Sequence, residues 1–135
     1  MSTILLVDDD PSVRKIVGDM LERSGHRVAA AADGAIALTT LQARKDVELV
    51  ISDHCMPGMD GLTLTRRIKE LRPDLPVVIM TGYCDLQSYL CAIGLGVVRY
   101  ISKPVGLREL LQTVRDAVED GVCERPLKQV RTGRP

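Results

Sequence analysis

Short aliphatic runs alternate along this chain with stretches of helical period. The runs are Ile4 to Val7, Val28 to Ala32, Leu49 to Ile51, Val77 to Met80 and Val97 to Ile101, each of a length that suits a buried strand. Between the first two, Val13, Ile16, Val17, Met20 and Leu21 recur at helical spacing, with Asp10 as N-cap, Pro11 at the first helical position and Gly25 as a stop. Near the end, Leu107, Leu110, Leu111, Val114, Ala117 and Val118 form a second stripe that Gly121 closes. Further helices are expected near 34 to 44, 61 to 71 and 85 to 95, the last weakened by Gly94 and Gly96. Five strands alternating with five helices predict an α/β fold, a parallel sheet covered on both faces.

Such a sheet gathers its functional groups at the carboxyl ends of its strands, because helices cover the rest. The residues found there are Asp8, Asp9 and Asp10 after the first run, Asp53 after the third, Thr81 after the fourth and Lys103 after the fifth. Crowded carboxylates raise one another's pKa unless a cation lies between them. A divalent cation with oxygen ligands answers that need, and Mg2+ takes few carboxylates alongside waters and phosphate oxygens. With Lys103 and Thr81 opposite, the set would neutralise a transferred phosphoryl group, and Asp53 could accept it as an acyl phosphate. A plainer reading gives Asp10 to the helix cap and leaves the other acids as loop residues.

Composition narrows the picture. The chain has 135 residues, enough for one domain that buries roughly two thirds of its unfolded surface. Trp and Phe are missing and the aromatics are Tyr83, Tyr89 and Tyr100, so the core must be aliphatic. Bases and acids balance at 18 each, which gives no sign of a nucleic-acid or membrane partner. The basic residues Arg125, Lys128, Arg131 and Arg134 face one acid, Glu124, beyond Gly121. Residues 122–135 are therefore expected to form a basic, flexible tail or linker behind a body of residues 1–121. Cys55, Cys84, Cys91 and Cys123 lack metal-ligand spacing, and no signal peptide or membrane-length run is evident, so a cytoplasmic protein with reduced thiols is expected.

Four motifs in order, "LLVDDD", "DHCMPGMDG", "VIMTG" and "YISKP", resemble the receiver domain of bacterial two-component response regulators over about residues 3 to 120. The resemblance implies the flavodoxin-like strand order 2-1-3-4-5. It also implies that Asp53 takes a phosphoryl group from a phosphohistidine on a sensor histidine kinase or a histidine phosphotransfer protein. Asp8 and Asp9 match the acidic pair that holds Mg2+, Asp9 directly and Asp8 through water, with the backbone carbonyl of Cys55 as a further ligand. Thr81 matches the switch hydroxyl, Lys103 the lysine that pairs with the phosphoryl group, and Tyr100 the rotameric aromatic. The Lys103–Pro104 bond is expected to be cis. Movement of Thr81 and Tyr100 would change the face formed by the fourth helix, fifth strand and fifth helix.

The sequence departs from the family at Val105, where Phe is usual, at Gly82, where Ala is common, and in "GLGVVRY" ahead of the switch aromatic. Cys55 and Tyr83, two residues past the acceptor and the switch threonine, cannot orient attacking water as an acid or amide would, so a long-lived phosphorylated state is expected. A Mg2+-dependent aspartyl phosphatase would carry an acid where Cys55 stands. Beyond self-phosphorylation and slow self-dephosphorylation no enzyme activity is implied. His54 reads as an exposed bystander, and Arg14, Lys15 and Val17 as candidates for kinase recognition. The output is left open: a stand-alone or relay receiver, or a module of a transcription regulator or hybrid kinase, with a homodimer on phosphorylation as one route and no direct contact with nucleic acid by this domain.

Overall fold

The structure, a computed structural model, describes residues 2–82 and 85–120, apart from the side chain of Asp120. Tyr83, Cys84, the helix stop at Gly121 and the basic segment 122–135 lie outside the described residues. Ten elements alternate strictly: β1 (Thr3–Val7), α1 (Pro11–Arg23), β2 (Arg27–Ala31), α2 (Gly34–Ala43), β3 (Leu49–Asp53), α3 (Gly61–Leu71), β4 (Val77–Thr81), α4 (Leu86–Gly94), β5 (Arg99–Ser102) and α5 (Leu107–Asp120). The strands form one parallel sheet in the order β2-β1-β3-β4-β5, the order expected.

Alternation along each strand splits the core in two. Leu5, Val7, Val50, Val77 and Ile79 pack with Ala37 and Leu41 of α2, Leu64 and Ile68 of α3, and Ala92 of α4. Ile4, Leu6, Leu49, Ile51, Val78, Met80 and Ile101 pack with Val17 and Leu21 of α1 and Leu110, Val114 and Ala117 of α5. Because the central strands are buried on both faces, they read as unbroken aliphatic runs. Each fully buried Leu or Ile stabilises the fold by about 1.5–3 kcal/mol relative to an exposed one.

An aspartate caps each of the first four helices. Asp10 accepts from the Ser12 amide, Asp33 from Ile36, Asp60 from Thr63 and Asp85 from Ser88, at 2.7–2.9 Å, which satisfies amides that the helix itself leaves unbonded. Only the first of these was expected. The fifth strand also differs from expectation, since Val97 and Val98 are buried ahead of it and the strand starts at Arg99, the Val98 amide donating to the Val77 carbonyl at 2.9 Å just before it. The cause is Gly96, whose φ of 91° turns the chain out of α4 while the Val97 amide donates to the Ala92 carbonyl at 3.1 Å. The apolar run therefore starts in the turn. Two residues counted in helical stripes face outward: Ile16 is 56% exposed and Leu107 49%.

Candidate functional site

Strand parity decides which side chains meet at the carboxyl edge. Asp53 aligns with Met80, and Met80 with Ile101, so Asp53 continues the face covered by α1 and α5, as does Lys103 two residues past Ile101. Asp8, one step past Val7, falls on the same face. There the Lys103 ammonium sits between two carboxylates, 2.9 Å from Asp8 Oδ2 and 3.1 Å from Asp53 Oδ1. Asp8 is fully buried and Asp53 nearly so, whereas Asp9 is exposed. One carboxylate oxygen from each of Asp8, Asp9 and Asp53 lies within 4.8 Å of the others. Such an oxygen-only donor set, partly open to solvent, fits a small hard divalent cation.

Local bonds hold these groups in place. Asp8 Oδ1 accepts from the Asp10 amide at 2.9 Å, and the Asp8 carbonyl accepts from Arg14 Nη1 at 2.7 Å. Arg14 thus braces the site, a role sequence reasoning missed. Lys15 is exposed and pairs with Asp19, but Val17 is 3% exposed in the core, which corrects its reading as a kinase-recognition residue. The Lys103 amide donates to the Thr81 carbonyl at 2.7 Å, and the Lys103–Pro104 peptide is cis. Beside Lys103, a mostly apolar groove of about 340 Å3 is lined by Val13, Ile16, Met80, Pro104 and Val105.

Burial pushes the Asp53 carboxyl above the usual carboxylate range; the bond from Lys103 opposes this, and the negative charge of Asp8 adds to it. Burial alone would draw the Lys103 ammonium down, yet its bonds to Asp8 and Asp53 outweigh this and hold it above the ordinary lysine value. The lysine is therefore charged at neutral pH. Asp53, by contrast, is an anion that its surroundings tolerate poorly.

The loop from Asp53 to Gly61 is folded tightly on itself. The Gly61 amide donates to the His54 carbonyl at 2.8 Å, and a Cβ at Gly61 would lie 2.3 Å from the Asp53 carbonyl oxygen and 3.0 Å from His54 Cα. Gly61→Ala is thus expected to cost about 1–3 kcal/mol through this backbone clash, measured by urea unfolding. An unchanged midpoint would mean that the loop yields.

On the opposite face, covered by α2, α3 and α4, stand Thr81 and Tyr100. Thr81 is 1% exposed, and Tyr100 is half-buried against the core. The exposed-bystander reading of His54 is corrected here. His54 is half-buried, with its ring edge-to-face to Tyr100 at 6.3 Å between centroids, and Tyr100 stands likewise to Tyr89 of α4 at 5.6 Å. Cys55 is exposed, its Sγ 3.5 Å from His54 Nδ1. The strand ends gave away the charged group, but the aromatic stack depends on contacts between distant segments and left no pattern in the sequence.

Among the described residues, no helix is long and apolar enough to cross a membrane. The transcriptional regulatory protein GlrR of Escherichia coli K12 is 40% identical over 116 residues, which cover 86% of this chain and 26% of that protein. The C4-dicarboxylate transport transcriptional regulatory protein DctD of Rhizobium meliloti is 41% identical over 117 residues, covering 87% of this chain and 25% of that one. This chain therefore spans about a quarter of the length of either relative. Among solved structures, a CheY-like response regulator receiver domain protein from Methanospirillum hungatei superposes with a TM-score of 0.85 at 29% identity, covering 90% of this chain and 96% of that one. The family model for the response regulator receiver domain matches residues 4–115, and with that match over most of its length the chain belongs to the receiver domain family of response regulators.

Proposed function

We propose that Asp53 is the phosphoacceptor of this receiver, with Asp8 and Asp9 as Mg2+ ligands, Lys103 as the phosphoryl-pairing cation, and Thr81 and Tyr100 as the switch. The observation that supports this best is the ammonium of Lys103 held between Asp8 and Asp53. An Asp53 carboxylate oxygen attacks the phosphorus of a phosphohistidine; a P–O bond forms, the P–N bond breaks, and the departing imidazole keeps the electron pair and takes up a proton. Lys103 can then follow the developing negative charge from carboxylate to phosphoryl oxygen, a move of its terminal amine alone. Asp8, Asp9, Asp53 and the Cys55 carbonyl would hold the metal, Asp9 from its exposed position. Bound Mg2+ supplies charge neutralisation on the phosphoryl oxygens.

The donor is a sensor kinase or a phosphotransfer protein, and the apolar groove beside Lys103 gives it a place to bring its phosphohistidine to the exposed side of the site. The relatives named above are transcriptional regulators, which supports a transcriptional output, with residues 1–121 as receiver and 122–135 as the connection onward. The changed α4-β5-α5 face would then dock on that output or on a second copy.

The direct test is incubation with acetyl phosphate and Mg2+, followed by intact mass. One phosphoryl group per chain, labile to hydroxylamine, is expected; absence of label under conditions that label a known receiver would overturn the reading. The metal assignment has its own measurement. Mg2+ at tenfold its Kd is expected to stabilise the wild type by about 1.4 kcal/mol, and Asp9→Asn to lose most of that gain in thermal melts. An undiminished gain in the variant would place the ion elsewhere.

A further inference from the structure

His54 follows the proposed acceptor directly and yet faces away from it. Its parity along the chain matches Ser52, which aligns with Ile79, and Ile79 aligns with Tyr100. The imidazole therefore points to the face where the Tyr100 ring lies, and the two rings meet at an interplanar angle of 86°. The Tyr100 hydroxyl is buried, so the tyrosine is turned inward in this structure. The same ring also meets Tyr89 at 84°, so Tyr100 of β5 contacts both the acceptor loop and α4.

The backbone of His54 has little freedom to move. Its amide donates to the Met80 carbonyl at 3.0 Å, its carbonyl accepts from the Gly61 amide at 2.8 Å, and a Cβ at position 61 would lie only 3.0 Å from its Cα. Adjustment between His54 and Tyr100 therefore comes from side-chain rotation and not from a shift of the loop backbone. The His54 Nε2, meanwhile, is buried with no hydrogen-bond partner among the described residues. Burying such a nitrogen unpaired carries a desolvation cost that an apolar ring of similar shape would not. Edge-to-face packing favours the inward tyrosine, and an unpaired nitrogen buried on the neighbouring ring makes that arrangement less favourable than an apolar ring would.

We infer that His54 is a positioning residue that sets the balance of the Tyr100 switch, holding the ring inward by packing while its unpaired Nε2 keeps that state only marginally favoured. A purely apolar ring at position 54 would lock the tyrosine in, and a small side chain would release it. The inference rests on the reading of Tyr100 as the switch, and it gives the residue next to the acceptor a direct line to α4.

The test is 19F NMR of the full chain labelled with 3-fluorotyrosine, the Tyr100 resonance being assigned by Tyr100→Phe. In the absence of any phosphoryl mimic, His54→Ala should move that resonance toward its solvent-exposed position, and His54→Phe should move it the opposite way. The corresponding changes in the inward-to-outward ratio are roughly three- to tenfold, the size of one aromatic pair. Circular dichroism confirms that each variant is folded, and the apolar His54→Phe keeps the test decisive if His54→Ala does not fold. A resonance that stays put in a folded variant, or that moves the same way in both, overturns the proposal. Beryllofluoride with Mg2+, using Asp53→Asn as control, tests the acceptor reading separately. If the wild type does not bind it while the His54 variants still move Tyr100 in opposite directions, the acceptor assignment falls and the role of His54 stands.

Discussion

Asp53→Asn is expected to reduce phosphoryl uptake from acetyl phosphate to background while making the metal-free fold more stable. The first effect follows because the neutral amide is a far poorer nucleophile than the carboxylate and leaves no acyl phosphate to form. The second follows from the raised pKa of the carboxyl. Burial, with the charge of Asp8, makes the ionised Asp53 an unfavourable occupant despite Lys103. An acid whose folded pKa lies above its unfolded value favours folding fully only below the unfolded value, and that advantage disappears as pH rises through the folded one. At neutral pH the anion therefore subtracts from stability, and its amide does not. The gain is expected to be on the order of 1 kcal/mol at pH 7 and to shrink toward zero as the pH falls past about 3.9. Urea midpoints of both proteins at several pH values, in EDTA, check this. A variant that is less stable at pH 7, or that still takes up a stoichiometric label, contradicts the assignment.

The second large effect is expected from Lys103→Ala. Without the ammonium, the fully buried Asp8 and the nearly buried Asp53 face each other with no cation between them. Removing one partner of a buried ion pair commonly costs 3–5 kcal/mol; because the lysine side chain is 21% exposed, water shares the load and about 2–3 kcal/mol is the better figure. Mg2+ should restore most of it, since a divalent ion can take over the neutralisation. The variant should thus depend on the metal more steeply than the wild type does. Some labelling is expected to persist, but without the conformational response. A variant as stable as the wild type in EDTA would show that the two carboxylates do not need the lysine. The sign difference between these two substitutions, made on the two ends of one 3.1 Å contact, separates a site that is short of positive charge from one held together by the pair itself.

Much of this site was legible from strand endings. Aliphatic runs followed at once by Asp8 and Thr81, and after one serine by Asp53 and Lys103, place those residues on one edge, because a parallel sheet leaves its chemistry nowhere else. Asp10 and Pro11 announced the first helix in the same way. What stayed hidden depends on contacts across the chain. Asp33, Asp60 and Asp85 look like loop acids until the helices they cap are in place. Val97 and Val98 read as strand because burial selects their side chains, although the strand itself starts at Arg99. Ile16 fits the helical stripe by spacing but sits at its margin, beside the groove instead of in the core. Gly61 matters through a carbonyl eight residues upstream, and His54 through a tyrosine two strands away. The strand order itself came from family likeness, since the aliphatic pattern does not say which strands are neighbours.

The division of the sheet's two faces has a genetic consequence. Asp8, Asp53 and Lys103 lie over α1 and α5, while Thr81, His54 and Tyr100 lie over α2, α3 and α4. In a random mutant library sorted first for aspartyl phosphate and then for downstream response, alleles that load but stay mute should map to the second side, with Lys103 the exception on the first. Alleles that never load should cluster on the first. Because response follows loading, an allele that never loads should mask one that loads but stays mute when both are placed in the same chain, and the reverse should not occur.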